Sequence, residues 1–168
     1  MRKSSVQAIF RALNDAGVRY LVAGGLAVVA HGYARFTADL DLILDLEPNN
    51  VDRALKVLDA LGYQPRAPVA LSGFADPAMR ADWRTNKGLI AFSLHSSQHP
   101  KTEIDLFIDA PLKFESAYRS GLRLDLAPDV TATFVSYPDL VDLKTKAGRP
   151  RDVEDIEALR RLRGEVQP

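Results

Sequence analysis

The sequence predicts an α/β fold: a small, mixed, twisted sheet flanked by helices, with a helical C-terminus. Three observations predict it. Short apolar runs at residues 18–22 and 40–46 alternate with segments of helical periodicity. A Gly24-Gly25 turn follows the first run, and the second carries Asp39 and Asp41, one residue apart. A third carboxylate, Asp105, stands in the same apolar setting, between Ile104 and Leu106.

Each element has its own signal. Ser4 and Gln7 have the spacing of a capping box, and Val6, Ile9, Phe10 and Leu13 mark one face of a first helix that Gly17 ends. Residues 18–22 read as a buried strand, 26–30 as a short helix closing at His31-Gly32, and 40–46 as a second strand. Pro48-Asn49-Asn50 opens a helix with Val51, Leu55, Leu58 and Leu61 on one face, ending near Gly62. Residues 65–87, with three prolines, Gly73 and scattered charges, read as a long loop with room for a short strand or turn inside it. Residues 89–94 and 103–108 read as a hairpin, 113–119 as a short helix and 130–135 as a further strand.

The last third is helical. Pro138 stands near the start of a helix holding Leu140, Val141 and Leu143, which Ala147-Gly148-Arg149-Pro150 interrupts. Pro150 suits the first turn of the next helix, where Val153, Ile156, Leu159 and Leu162 form an apolar stripe. Acids in its first half and arginines in its last turn complement the helix dipole. The expectation is one domain over residues 1–168, with a core at about 18–136 and a helical part at about 137–164.

A chain of 168 residues is long enough to bury a core unaided. The absence of cysteine excludes disulfides and thiolate metal sites, so a metal must sit on oxygen or histidine. Lys+Arg and Asp+Glu both number 22, so no global charge demands a polyanionic partner. The N-terminal residues read as a helix rather than a signal peptide, and no run approaches the ~18 apolar residues of a membrane span. The expected location is the cytoplasm.

Side chains alternate across a strand, so Asp39, Asp41 and Asp45 share one face of theirs while Leu40, Leu42, Leu44 and Leu46 share the other. Glu103 and Asp105 repeat the pattern opposite Ile104, Leu106 and Ile108. Neighbouring strands would bring Asp105 beside Asp39 and Asp41. Three such carboxylates repel one another unless a cation joins them, and Mg²⁺ prefers hard oxygen ligands shared with phosphates. Two Mg²⁺ ions, or Mn²⁺ in their place, ~4 Å apart would activate a hydroxyl and stabilise departing pyrophosphate. Asp45 and Glu103 read as rim groups. Glycines at 24 and 25 let backbone N–H groups approach a triphosphate closely. Arg35 and Thr37 enter the Asp39 strand, where an arginine serves as a charge clamp on phosphate.

Leu21-Val22-Ala23-Gly24-Gly25, thirteen residues, then Asp39-Leu40-Asp41-Leu42, resembles the signature of the DNA polymerase β-like nucleotidyltransferase superfamily. Ile104-Asp105-Leu106 resembles its third-carboxylate element. Many members have serine where Gly25 stands, which here leaves phosphate contacts to the backbone. The resemblance implies metal-dependent transfer of a nucleoside monophosphate from an NTP to a hydroxyl, with Asp39, Asp41 and Asp105 as metal-binding catalytic residues. Residues 144–159 resemble the tail of small bacterial nucleotidyltransferases related to abortive-infection and toxin–antitoxin proteins. That second resemblance implies a phosphate contact for Lys144 and a supporting role at the site for Asp152. It also implies tRNA or a partner protein as the acceptor.

Two rival readings stand beside this one. A small hydroxylated compound such as an antibiotic is the runner-up acceptor, because compact members of the resembled superfamily modify such molecules. A non-catalytic module that binds nucleotide or a partner would keep the same acids without turnover. A homo-oligomer is compatible with all three. G-x-S-x-G, Walker A, G-x-G-x-x-G and H-E-x-x-H motifs are absent. Trp83 with Arg80, Arg84 and Lys87 offers a weak basic, aromatic contact for nucleic acid, and His31 reads as a packed or capping histidine.

Overall fold

The computed structural model describes residues 1–165; residues 166–168, the end of the expected domain, lie outside the described residues. Helix α1 (Lys3–Asp15) buries Val6, Ile9, Phe10 and Leu13, as their spacing predicts. Its start differs from expectation. Arg2 is the N-cap and makes no side-chain cap bond, so Ser4 and Gln7 form no capping box. Gln7 Nε2 instead donates to Leu126 O at 3.2 Å. Gly17, at φ +64°, turns the chain into β1 (Tyr20–Val22), whose three residues are all buried.

After helix α2 (Gly24–Ala30), β2 (Asp39–Leu44) returns antiparallel to β1. The first half of β2 alternates half-buried aspartates with buried leucines, and its end is buried on both faces. Helix α3 (Pro48–Ala60) is capped by Glu47, whose carboxylate accepts from Asn50 N at 3.0 Å. Strands β3 (Gln64–Pro65), β4 (Ala91–His95) and β5 (Glu103–Phe107) follow, and β4 and β5 form the expected antiparallel hairpin.

Between β3 and β4 the structure corrects the sequence reading. Residues 65–87 are not one loop: a 3-10 turn over Leu71–Ala75 leads into helix α4 (Pro77–Lys87). Asp76 accepts from Ala78 N at 2.8 Å, Pro77 occupies the first turn, and Gly88 closes the helix at φ 62°. Trp83 is buried and stacks on Phe92 with ring centroids 4.9 Å apart. Arg80 is buried too, its Nη1 donating to Phe74 O at 2.6 Å, and Arg84 pairs with Asp109. Of the residues weighed as a nucleic-acid contact, Trp83 and Arg80 are therefore committed to the core and Arg84 to an ion pair, while Lys87 is exposed.

Helix α5 (Phe114–Ser120) precedes β6 (Leu122–Ala127), a strand outside the sequence expectation that pairs antiparallel with β7 (Val130–Phe134). Helices α6 (Tyr137–Ala147) and α7 (Pro150–Leu162) form the C-terminal pair. The apolar stripe expected on α7 is rotated. Val153 and Leu162 are exposed, while Asp152, Asp155, Ile156, Ala158 and Leu159 are buried.

The described strands make a seven-stranded sheet in the order β3-β4-β5-β2-β1-β7-β6. The β2–β5 and β1–β7 pairs are parallel and the others antiparallel, so the sheet is mixed, as expected. One apolar cluster runs from Phe10 and Leu21 through Leu42 and Ile104 to Trp83, Phe92 and Leu159. No described helix is long and apolar enough to cross a membrane.

Candidate active site

Parallel pairing of β2 with β5 sets Asp41 opposite Asp105 and Asp39 opposite Glu103. In-register parallel partners point the same way, so these side chains share one half-buried face of the sheet. Leu40 opposite Ile104 and Leu42 opposite Leu106 hold the register from the other, fully buried face.

The glycine turn closes directly on these acids. Ala23 N donates to Asp41 O at 2.9 Å, extending the β1–β2 ladder to the start of α2. Gly24 has φ +58°, and a Cβ there would lie 1.9 Å from Asp41 Oδ2. A Cβ at Gly25 would lie 2.4 Å from Thr37 Oγ1 and 2.9 Å from Arg35 Nη2. Both positions must therefore lack a side chain, because Asp41 fills the space over one and the Arg35–Thr37 loop the space over the other. The Gly25 N–H also donates to the Asp41 carboxylate.

Electrostatics perturb Asp41 more than Asp39. Its pKa is pushed up to about 6, by burial first and then by Asp105 and Asp39, against the Gly25 N–H and the charge of Lys144. Burial raises Asp39 as well, followed by repulsion from Asp105 and Glu103. Glu103 is held low by a hydrogen bond from Arg66. Asp45 lies beyond the end of β2 and pairs with Arg19 at 2.9 Å. Neither rim acid is free to join the central three.

Among the described residues no three acidic or histidine side chains already converge as a metal cage, and Asp41 is turned onto the Gly25 N–H. The donor set nevertheless fits Mg²⁺ in its chemistry. It is all oxygen and anionic, and burial followed by like charge raises the pKa of Asp39 and Asp41, a strain that a hard divalent cation relieves.

The remaining expected residues lie beside the turn in an arrangement the sequence does not show. Thr37 Oγ1 donates to Asp39 O at 3.3 Å, tying the loop to the first aspartate. Lys144 is only 5% exposed; its ammonium donates to Asp152 at 2.8 Å and to Asp155 at 2.7 Å. It is thus neither a solvated helix lysine nor a cation free to reach phosphate, because packing α6 on α7 encloses it between two carboxylates. Arg35 Nη2 donates to the same Asp155 at 3.0 Å, and Nη1 to Phe36 O at 2.9 Å. Asp152 also accepts from Arg149 N at 3.3 Å, capping α7. His31 is a packed residue, its Nε2 donating to Val135 O at 2.9 Å. Asp155 escaped the sequence reading. Its signal was an acid one residue before Ile156, on the helical face of Leu159.

No family model and no curated protein matches the sequence. In structure the chain is similar to ANT(2'')-Ia in its crystal complex with adenylyl-2''-tobramycin. The TM-score is 0.59 at 12% identity, covering 94% of this chain and 87% of that one. It is similar also to the solution structure of the antibiotic-resistance factor ANT(2'')-Ia, with a TM-score of 0.58 at 12% identity, over 94% of this chain and 82% of the other. The likeness is one of fold. It agrees with the expected mixed sheet, flanking helices and helical C-terminus.

Proposed function

We propose that this chain is a metal-dependent nucleotidyltransferase that moves a nucleoside monophosphate from an NTP to a hydroxyl acceptor. The observation that carries the reading is the pairing of Asp41 with Asp105, with Asp39 beside them and the Gly24-Gly25 turn closed against Asp41. Asp39 and Asp41 would hold the divalent ions and Asp105 would share one of them. Gly24 and Gly25 would seat the triphosphate, bordered by Arg35 and Thr37. Bound Mg²⁺ supplies neutralising charge to the phosphates and to the acceptor oxygen. Asp105 takes the proton of the acceptor hydroxyl. The acceptor oxygen bonds to the α-phosphorus as the bond to the β-phosphate bridging oxygen breaks, and pyrophosphate leaves.

A small hydroxylated acceptor is better supported than tRNA or protein. ANT(2'')-Ia, which shares the fold, is seen with adenylyl-2''-tobramycin. The Trp83 and Arg80 side chains that would have served a nucleic acid are buried. The toxin–antitoxin setting rests on the resemblance of residues 144–159 alone.

The test is transfer of label from α-labelled ATP, CTP, GTP and UTP, with Mg²⁺, to amino-sugar antibiotics including tobramycin, to total RNA and to lysate protein. Asp41→Ala should fold and transfer nothing. Label entering the small molecules supports the reading, and label entering RNA or protein moves the acceptor to the other class. A folded, active Asp41→Ala protein removes the assignment. NTP binding with no transfer to any fraction leaves a binding module.

A further inference from the structure

Apart from Arg35, which borders the proposed triphosphate seat, the buried ion cluster behind the glycine turn has no part in the transfer chemistry as described. It joins three elements: Arg35 from the loop before β2, Lys144 from α6, and Asp152 and Asp155 from α7. Asp155 is its hub. At 1% exposure it accepts from both Lys144 and Arg35. A buried ion cluster adds little net stability over a well-packed apolar one, so stability alone does not account for it.

Arg35 supplies a further reason. Its guanidinium is held on one side by Asp155 and on another by Phe36 O, while its Nη2 lies against Gly25. Its Nε is buried and 2.8 Å from Asp155 Oδ1, yet has no aligned hydrogen-bond partner. A guanidinium has five N–H groups, and two of them are satisfied here. With Nε enclosed against Asp155, one N–H on each of Nη1 and Nη2 remains beyond these two bonds. Lys144 balances the charge of Asp155, so the carboxylate orients Arg35 without adding net negative charge beside the acids.

We infer that Asp155, steadied by Lys144, is a positioning residue that presents the Arg35 guanidinium to the triphosphate at the Gly24-Gly25 turn. The inference rests on the nucleotidyltransferase reading, and adds that a residue of the last helix sets nucleotide affinity through Arg35. Asp152 serves as an internal comparison. It contacts the same lysine and lies in the same helix but does not touch Arg35.

The test titrates ATP, CTP, GTP and UTP with Mg²⁺ into the wild type and into Asp155→Asn, Arg35→Lys, their double variant and Asp152→Asn, with thermal melts of each. Asp155→Asn and Arg35→Lys should each weaken the best NTP about tenfold, and the double variant no further, because both act through one guanidinium. Asp152→Asn should lower the melting temperature and leave affinity within about twofold, since it removes no contact of Arg35. Equal losses of affinity in Asp152→Asn and Asp155→Asn, tracking their losses of stability, would make the cluster purely structural and overturn the inference. If Asp155→Asn does not fold, Arg35→Lys decides, and unchanged affinity there overturns it. A wild type that binds none of the four NTPs removes the nucleotidyltransferase reading itself, and the inference with it.

Discussion

Asp41→Asn should make the metal-free protein more stable, although it removes a residue proposed as essential. The amide keeps the shape and an oxygen able to accept from the Gly25 N–H, and it removes the charge that burial, Asp105 and Asp39 disfavour. The Asp41 pKa rises from 3.8 to about 6 on folding. At ~1.4 kcal/mol per pKa unit this places ~3 kcal/mol of destabilisation on the ionised form. The sign follows from proton binding. The folded state holds the proton more tightly than the unfolded chain, so this group imposes no penalty below its unfolded pKa, and stability is lost as pH rises through about 6. At pH near 7.5 in a chelator, Asp41→Asn should gain ~1–3 kcal/mol over the wild type, the lower end allowing for its lost attraction to Lys144. Below the unfolded pKa the difference should vanish. Urea unfolding from acid to neutral pH measures this directly. Added Mg²⁺ should then stabilise the wild type more than the variant and close the gap, because a ligand that binds only the folded state adds to its stability. A variant less stable than the wild type in chelator, or a difference that ignores pH, would refute the picture of an acid pair in want of a cation.

Other perturbations separate packing from charge. Gly25→Ala should cost ~1–3 kcal/mol, since Gly25 has no positive φ and the whole cost is the collision with Thr37 and Arg35. Gly17→Ala meets no atom within 4 Å and should cost only the ~1 kcal/mol of its left-handed backbone; equal losses in urea unfolding would show that the collision is absent. Lys144→Met leaves Asp152 and Asp155 without their shared cation and should lose ~3–5 kcal/mol in denaturant unfolding, where an unchanged midpoint would argue against the buried cluster. Trp83→Ala should cost ~3–5 kcal/mol through the cavity left against Phe92, with the NTP affinity of folded protein unchanged; weakened binding would place α4 nearer the site than its packing implies.

Much of the sheet was legible because a period of two survives any partner choice. The alternation of Asp39, Leu40, Asp41 and Leu42 assigns faces without knowledge of the neighbour. The C-terminal helices announced themselves through Pro150 and Gly148, and the structure has helix ends at both. Helix α4 was missed although its signals stood in the sequence, with Asp76 before Pro77 and Gly88 at the end. Its apolar face is thin: Trp83 and a buried arginine do the work that a leucine stripe does elsewhere, so three prolines outweighed it. Strand β6 was missed for another reason. Its Leu122, Leu124 and Leu126 are only partly covered at the sheet edge, and a short alternating run beside Gly121 reads as easily as a loop.

The site divides along the same line. Alternation gives the face of each acid but leaves the register free in steps of two, and a slip of two would set Asp39 opposite Asp105 while keeping every leucine inward. The structure selects Asp41 opposite Asp105, a choice that the alternation within the two strands does not specify. The Arg35–Asp155 contact spans 120 residues and depends on where the last helix returns. No local spacing encodes it. What the sequence does hold is a misfit. On α7 the helical period that buries Ile156 and Leu159 also buries Asp152 and Asp155, whereas the nominally apolar Val153 and Leu162 face outward. A pair of carboxylates on the core face of a helix requires buried cations, and the chain offers few that can reach them. Lys144 and Arg35 meet that requirement, and through Arg35 the last helix touches the turn where the triphosphate is proposed to sit.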